Sequence, residues 1–304
     1  MRGFASLAAL MKQEPVMSPF SHIGIFTKPN DTRVDKTLHQ LHEFLLQRGF
    51  QVFCDQNAGL ILNMPAMAAE ELARRIDLAI VVGGDGTLLS SGRLLAAHEV
   101  PIVGVNLGRL GFLVDVSPDE MATQLEHILR GEYKEETRFV LQAEASRDGE
   151  ILGSGDALND VVLHVRNEIR MIEFTTWVDG HFVNTQRADG MIIATPTGST
   201  AYALSSGGPI MHPGLQAIAL VPICPHTLSD RPLVINSQSV IEIQLCEQRD
   251  IPARLSFDGQ NNIGLESGDR IRLHTRPEKV RLLHPQGYDY YHILRAKLHW
   301  GVQL

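Results

Sequence analysis

Eleven residues, Asp77 to Thr87, constrain this chain more than any other stretch: D-L-A-I-V-V-G-G-D-G-T. Leu78 to Val82 is a continuous apolar run closed by glycines. That is the pattern of a strand buried on both faces, and such strands lie inside parallel sheets. Glycines admit positive φ and let a ligand approach the backbone closely, and successive N–H groups in such a turn converge on an anion. Thr87 is expected to cap a helix starting at Leu88, whose N-terminus also favours anions. Asp85 stands between the glycines as an acceptor where phosphate would lie. A carboxylate beside polyphosphate is repelled unless a metal intervenes or the carboxylate meets a hydroxyl proton, and both arrangements belong to phosphoryl transfer. Read alone, the motif also fits a tight strand-to-helix turn with a surface Asp.

The flanking sequence supplies more of the same alternation. His22 to Thr27 reads as a first strand. Val34, Leu38, Leu41 and Leu45 recur at helical spacing before Gly49, which marks a helical stop. Phe50 to Cys54 is a short strand, Ala66 to Arg74 is weakly helical, Leu88 to His98 is a helix and Pro101 to Val105 a further strand. The glycine-bearing segment N-L-G-R-L-G-F-L follows, with Arg109 and Phe112. Ser117, Pro118 and Glu120 have the spacing of a capped helix start, and Met121, Leu125 and Ile128 form an apolar stripe that ends at Gly131. Strands alternating with helices predict a parallel sheet covered on both faces.

Near Thr137 the pattern changes to short β-type runs. These are Phe139 to Ser146, Asn159 to Val165, Met171 to Val178, His181 to Thr185, Met191 to Thr195, Leu233 to Ile235, Val240 to Leu245, Arg254 to Phe257, Arg270 to His274 and Lys279 to Leu283. Asp148-Gly149, Asp179-Gly180 and Asp258-Gly259 are hairpin-turn dipeptides. A helix is expected at Thr200 to Ser206, and the last stretch, Tyr288 to Leu298, is helical in character. The predicted fold is therefore an α/β N-terminal domain with a parallel sheet plus an all-β C-terminal domain. The boundaries read as a flexible extension over 1–20, the α/β domain over 21–137, the β domain over 138–283 and a tail over 284–304.

Composition excludes several classes of function. The formal charge of −8 is the wrong sign for a general nucleic-acid binder. No run of about 18 apolar residues exists, so no transmembrane helix is expected. Cys54, Cys224 and Cys246 are few, odd in number and far apart. Buried free thiols in a reducing cytoplasm, with no protein metal site, are the expectation. The first eleven residues lack a cleavage pattern after their short apolar segment. They read as an extension, or as an upstream start ahead of Met17, rather than a signal peptide.

Four further clusters bear chemistry. In L-N-D-V-V-L-H, Asn159 can pair with an adenine or carboxamide edge and Asp160 can accept from ribose hydroxyls; the same residues also suit a turn before a strand. In Q-R-A-D-G-M, Arg187 offers a phosphate fork and Asp189 an acceptor, or the two form a surface ion pair. T-P-T-G-S-T-A-Y, Thr195 to Tyr202, joins hydroxyls, a Ser199 or Thr200 cap and a stacking ring to a helix start. That helix ends after about two turns at Gly207, Gly208 and Pro209, too short to be explained by packing alone. P-H-T-L-S-D-R-P-L-V offers His226 and Arg231 as phosphate or ribose contacts, or as structural side chains.

Together and in this order, G-G-D-G-T, N-D-V-V-L-H, R-A-D-G, T-P-T-G-S-T-A-Y and P-H-T-L-S-D-R-P-L-V resemble the bacterial NAD kinase family over roughly His22 to Trp300. G-G-D-G alone is shared with phosphofructokinases and lipid kinases, whereas T-P-T-G-S-T-A-Y after R-A-D-G is far more specific. The resemblance implies an α/β domain, a β-sandwich-like second domain and a C-terminal tail packing back on the first. It implies transfer of the γ-phosphoryl group of ATP, bound with Mg²⁺ or another divalent cation, to the 2′-hydroxyl of the adenosine ribose of NAD, giving NADP and ADP. By the same resemblance Asp85 is the catalytic acidic residue, and Gly83, Gly84, Gly86 and Thr87 form the phosphate turn. Gly86, Asn159, Asp160, Arg170, Arg187, Asp189, Thr200, Ala201, Tyr202, Ser205 and Gln260 are implied at the dinucleotide, with Phe112 near the adenosine.

The family commonly carries Asn-Glu where this chain has Asn159-Asp160, which shortens the reach to the ribose by one methylene. Arg187 at its position goes with a preference for NAD over NADH in the family. Homodimers or homotetramers are implied, with no membrane or nucleic-acid partner. Two rivals remain: a lipid or sugar kinase sharing the glycine turn, and a dinucleotide-binding sensor without turnover, which would gain little from the Asp85 carboxylate.

Overall fold

The computed structural model describes residues 18–28, 34–166, 171–227, 229–246 and 251–300. They divide into two compact units interleaved in sequence. The first takes the chain through Gly84, then Val103–Lys134 and the residues from Leu283 on. The second takes Asp85–Ile102 and Glu135–Leu282.

The first unit is built on parallel strands in the order Leu78–Val82, His22–Thr27, Gln51–Asp55, Ala66–Met67, with residues 103–105, the end of strand Pro101–Val105, next to Leu78–Val82. Every residue of Leu78–Val82 is buried, as a strand covered on both faces requires. Helix Val34–Gln47 buries Val34, Leu38, Leu41 and Leu45 on one stripe. These join Ile23, Ile25, Leu78, Ile80, Val82, Val103, Leu125 and Ile128 in one core. Helix Tyr290–Leu298 belongs to this unit and buries Tyr290, Ile293 and Leu294.

The second unit contains two sets of antiparallel strands around a second core. One sheet has the order Leu233–Asn236, Ala217–Ile223, Gly190–Ala194, Asp160–Val165, Ala253–Phe257, Asn261–Leu265. The other set runs His181–Ala188, Ile172–Val178, Ile241–Leu245, Arg270–Pro285, and Tyr133–Arg147 pairs both with this last strand and with Glu150–Ala157. Val161, Leu163, Ile193 and Leu255 from the first sheet meet Phe174, Ile243 and Leu273 from the other set, the arrangement of a β-sandwich. Because side chains alternate along a strand, Asp160, Val162 and His164 face away from that core.

Several expectations are corrected. The helix after the glycine turn begins at Asp85, not Leu88, so Thr87 is a buried first-turn residue and not the cap. Helix Met121–Leu129 has no side-chain cap; Ser117 Oγ accepts from Asp119 N at 3.4 Å instead. Arg270–Pro285 is one continuous strand rather than two. Glu150–Ala157, Ala217–Ile223 and Asn261–Leu265 are strands, and Gln56–Leu62 a helix, that the sequence pattern did not reveal. The expected helix at Thr200 to Ser206 is a 3₁₀ turn, Gly198–Thr200, and a single α-turn, Tyr202–Ser205, interrupted by Ala201 with ψ −125°.

Candidate active site

The glycine turn is anchored where the Gly83 N–H donates to the Val105 carbonyl at 2.9 Å. Gly83, Gly84 and Gly86 all lack positive φ, so conformational freedom is not their purpose. A Cβ built on Gly84 or Gly86 meets nothing within 4 Å. Their role is to leave backbone open to the outside, directly beside a helix N-terminus. Asp85 is half-buried at the first position of helix Asp85–Ala96.

The second element is a clamp on the Leu158–Asp160 segment. The Asp258 side chain is fully buried. Its Oδ1 accepts from Asn159 N at 2.8 Å and Asp160 N at 3.2 Å, and its Oδ2 from Leu158 N at 3.0 Å. Arg93, one face along the helix from Asp85, donates to the same carboxylate. The carbonyl side is held as well: Thr195 Oγ1 donates to Leu158 O at 2.6 Å, Thr195 N to Asn159 O at 2.9 Å, and Asp258 N to Asp160 O at 3.0 Å. With its backbone satisfied, the segment presents the Asn159 and Asp160 side chains outward. Gln260 completes the arrangement, accepting from Arg93 Nη2 at 2.7 Å and donating to Gly86 O at 3.1 Å.

A cavity of about 510 Å³ opens along the outer face of strands Asp160–Val165 and Ala253–Phe257. Asn159, Asp160, Tyr202 and Asp258 line one end, and His164 and Arg254 line it further along the same strands. Burial first, and the Asp258 carboxylate second, push the Asp160 carboxyl up to about 7. Burial first, and the Arg254 guanidinium second, hold His164 below the usual histidine range. Arg254 Nε donates to His164 Nε2 at 2.7 Å, so the ring accepts there as a neutral imidazole.

The T-P-T-G-S-T-A-Y segment packs beside this cavity. Gly198 touches the clamp so closely that a Cβ would lie 2.1 Å from the Asn159 carbonyl oxygen. Ser199 is not a cap: it is buried, donates to Pro196 O at 2.6 Å and accepts from Met211 N at 3.0 Å. Ala201 and Tyr202 line the cavity, and the Tyr202 side chain is left 47% exposed. Thr200 Oγ1 donates back to Thr197 O at 3.3 Å, and Ser205 is exposed.

This chemistry has counterparts among known proteins. The ATP-NAD kinase N-terminal domain model matches residues 23–133 and the ATP-NAD kinase C-terminal domain model matches 158–284. The chain belongs to the NAD kinase family. The NAD kinase of Nitrosococcus oceani is 49% identical over 94% of this chain and 99% of its own length. That of Pseudomonas syringae is 47% identical over 95% of this chain and 98% of its own. Yeast NADH kinase, solved with NADH, superposes with a TM-score of 0.84 at 25% identity, covering 95% of this chain and 90% of that one. An Archaeoglobus fulgidus NAD kinase solved with ATP gives 0.70 at 27% identity, covering 91% and 98%.

Within this NAD kinase chain the expected site residues fall into two groups. Asn159, Asp160, Ala201 and Tyr202 line the cavity, and Gln260 bonds to Gly86 beside Asp85, while Thr200 and Ser205 flank Ala201 and Tyr202 in sequence without lining it. Arg187 and Asp189 do not join them. Strand register pairs Ala194 with Asp160 but Gly190 with His164, which sets Asp189 more than about 13 Å away along the strands. There Asp189 O accepts from Val165 N at 3.0 Å, Arg187 O accepts from His226 N at 2.8 Å, and His226 and Arg231 are exposed. Arg170 lies outside the described residues. Two clamp residues, Arg93 and Asp258, escaped the sequence reading. Asp258 was legible only as half of a hairpin turn, and Arg93 as a polar position on a helix.

Proposed function

We propose that the chain moves the γ-phosphoryl group of Mg-ATP to the 2′-hydroxyl of the adenosine ribose of NAD. The bond from Pγ to the bridging oxygen of ADP breaks as the bond from O2′ to Pγ forms, and the hydroxyl proton leaves toward the Asp85 carboxylate. The observation that carries this reading is the pairing of Asp85, at a helix N-terminus beside open backbone, with a polar cavity entered by Asn159 and Asp160.

Each residue has a distinct task in this reading. Gly84 and Gly86 admit the phosphates to the backbone N–H groups. Asp85 orients the ribose hydroxyl and accepts its proton, a contribution of typically about 10²–10⁴-fold. Asn159 pairs with a base or carboxamide edge, and Asp160 accepts from ribose hydroxyls. Tyr202 offers a ring face for stacking. A divalent cation bound with ATP would neutralise charge on the transferring group, and in-line positioning supplies much of the remaining acceleration.

We assign Arg187 and Asp189 to the same site in a second copy of the chain, in a dimer or tetramer. Their place beyond the far end of the Asp160–Val165 strand supports this. The three free thiols support a cytoplasmic setting, although only Cys54 is buried as expected, Cys224 being exposed and Cys246 half-buried; among the described residues no helix is long and apolar enough to cross a membrane.

Purified protein incubated with NAD, ATP and Mg²⁺ should yield NADP; parallel reactions with NADH and with polyphosphate rank acceptors and donors. Absence of phosphorylated dinucleotide under every donor would sink the reading. Mixing inactive Asp85→Asn chains with inactive Asp189→Ala chains should restore part of the activity if the site is shared, and none if each chain is self-sufficient.

A further inference from the structure

We propose that Asp258 is a positioning residue for phosphoryl transfer, fixing the Asn159–Asp160 backbone and tying it, through Arg93 and Gln260, to the first turn of the helix that carries Asp85. This rests on the kinase reading above and adds to it a residue that touches neither substrate in that reading.

The geometry is that of a strut rather than a surface turn. Asp258 sits at φ +48° and Gly259 at +65°, the left-handed pair that closes a two-residue hairpin. From this turn the carboxylate reaches the neighbouring segment and receives three consecutive backbone N–H groups, from Leu158, Asn159 and Asp160. A fourth donor comes from Arg93, two helical turns beyond Asp85. Arg93 divides its guanidinium between Asp258 and Gln260, and Gln260 spends its amide on Gly86 O. The carbonyl beside Asp85 and the two side chains facing the cavity are thus linked by one chain of hydrogen bonds.

Two consequences distinguish a strut from a merely structural ion pair. Reacting groups held on separate segments lose on the order of 10²-fold in rate for a displacement of about 1 Å, so loosening the strut should lower kcat more than it raises KM. Asp258 also acts on Asp160 electrostatically. The charged and titratable groups around Asp160 are Asp258 and Arg254 from the neighbouring strand and its turn, His164 along its own strand, Tyr202 from the short helix, and Arg93 reaching in to Asp258. Removing the Asp258 charge should let Asp160 ionise at lower pH.

The test uses the full chain with NAD and Mg-ATP, reading NADP formation. Wild-type turnover comes first; its absence would overturn the kinase reading and this proposal with it, whereas the variants below test this proposal alone. With wild type active, Asp258→Asn should lower kcat at least about 30-fold while KM for each substrate stays within about threefold. The acid limb of its pH profile should move to lower pH. Gln260→Ala, which leaves the backbone clamp intact, should lower kcat about three- to tenfold. Asp258→Asn protein with a lowered unfolding midpoint but kcat within twofold of wild type would overturn the proposal, as would a rise in KM with kcat unchanged. If Asp258→Asn does not fold, Gln260→Ala and Arg93→Lys decide: unchanged kcat in both overturns it, a fall in both supports it.

Discussion

The Asp258 carboxylate accepts the Asn159 backbone N–H at 2.8 Å across 99 residues of sequence. The contact joins a hairpin turn to the first residues of a strand two motifs away, and it fixes how the Asn159 and Asp160 side chains enter the cavity. Substitutions around it should therefore separate stability from turnover in ways that depend on which side of the clamp they touch.

Glycines give the sharpest contrast. Gly198→Ala would drive a Cβ to 2.1 Å from Asn159 O, a backbone clash that no rotamer relieves. It should destabilise the protein by about 1–3 kcal/mol or more and displace the clamp. Gly84→Ala meets nothing within 4 Å. It should fold with stability within about 0.5 kcal/mol of the parent yet raise KM for ATP. Urea denaturation beside steady-state kinetics checks both; a Gly84→Ala protein with unaltered kinetics would show that no ligand uses that space.

Asp160 makes a pH prediction with a definite sign. Its folded-state pKa, about 7, lies above the ordinary 3.8. The native state therefore binds more protons between these values, and the stability present at low pH is lost as pH rises through about 4 to 7. Asp160→Asn removes that titration. Its stability relative to the parent should improve from pH 5 to pH 8, by about 1–3 kcal/mol, while turnover falls. Denaturation midpoints at the two pH values measure this, and a gap that stays constant would show that Asp160 ionises normally.

For Asp85→Asn the expected outcome is loss of most turnover with NAD affinity kept within about tenfold, a change of at most roughly 1.4 kcal/mol. Calorimetric binding set against NADP formation gives the answer. Parallel losses in both would mean that Asp85 mainly holds substrate.

Arg254 and His164 offer a test free of kinetics. Arg254→Gln should raise the His164 titration midpoint toward 6.5 without reaching it, because burial, the larger cause, remains. An NMR pH titration of the ring reads the shift directly. No movement would mean that the guanidinium at 2.7 Å is screened by solvent.

What the sequence made legible follows physical range. The buried strand Leu78–Val82 carries its own evidence in five consecutive apolar residues. Asp148-Gly149, Asp179-Gly180 and Asp258-Gly259 all adopt the left-handed pairs that their composition demands. Strand Ala217–Ile223 was hidden because it lacks alternation and contains Pro222, which argues against a central strand. The helix start at Asp85 was hidden because two glycines and an Asp read as loop, although an acidic residue in a first turn is favourable. At the site, the residues whose chemistry faces a ligand stood out by type. Those that hold them did not, since Arg93 and Asp258 meet across 165 positions and neither carries a local pattern that announces the other.

The three Asp-Gly hairpins differ in how far each is committed. Asp148 is exposed at its turn, Asp179 accepts one backbone N–H, from Val240 at 2.8 Å, and Asp258 accepts three together with an arginine. Asn-Gly is an equally favoured turn dipeptide, so a designer seeking a hardier catalyst by turn optimisation would treat the three sites alike. Asp148 is open to that treatment, and at Asp179 an Asn Oδ1 can still accept the Val240 N–H. At Asp258 the same exchange keeps the loop's turn dipeptide but discards the buried charge that Arg93 and three backbone N–H groups share.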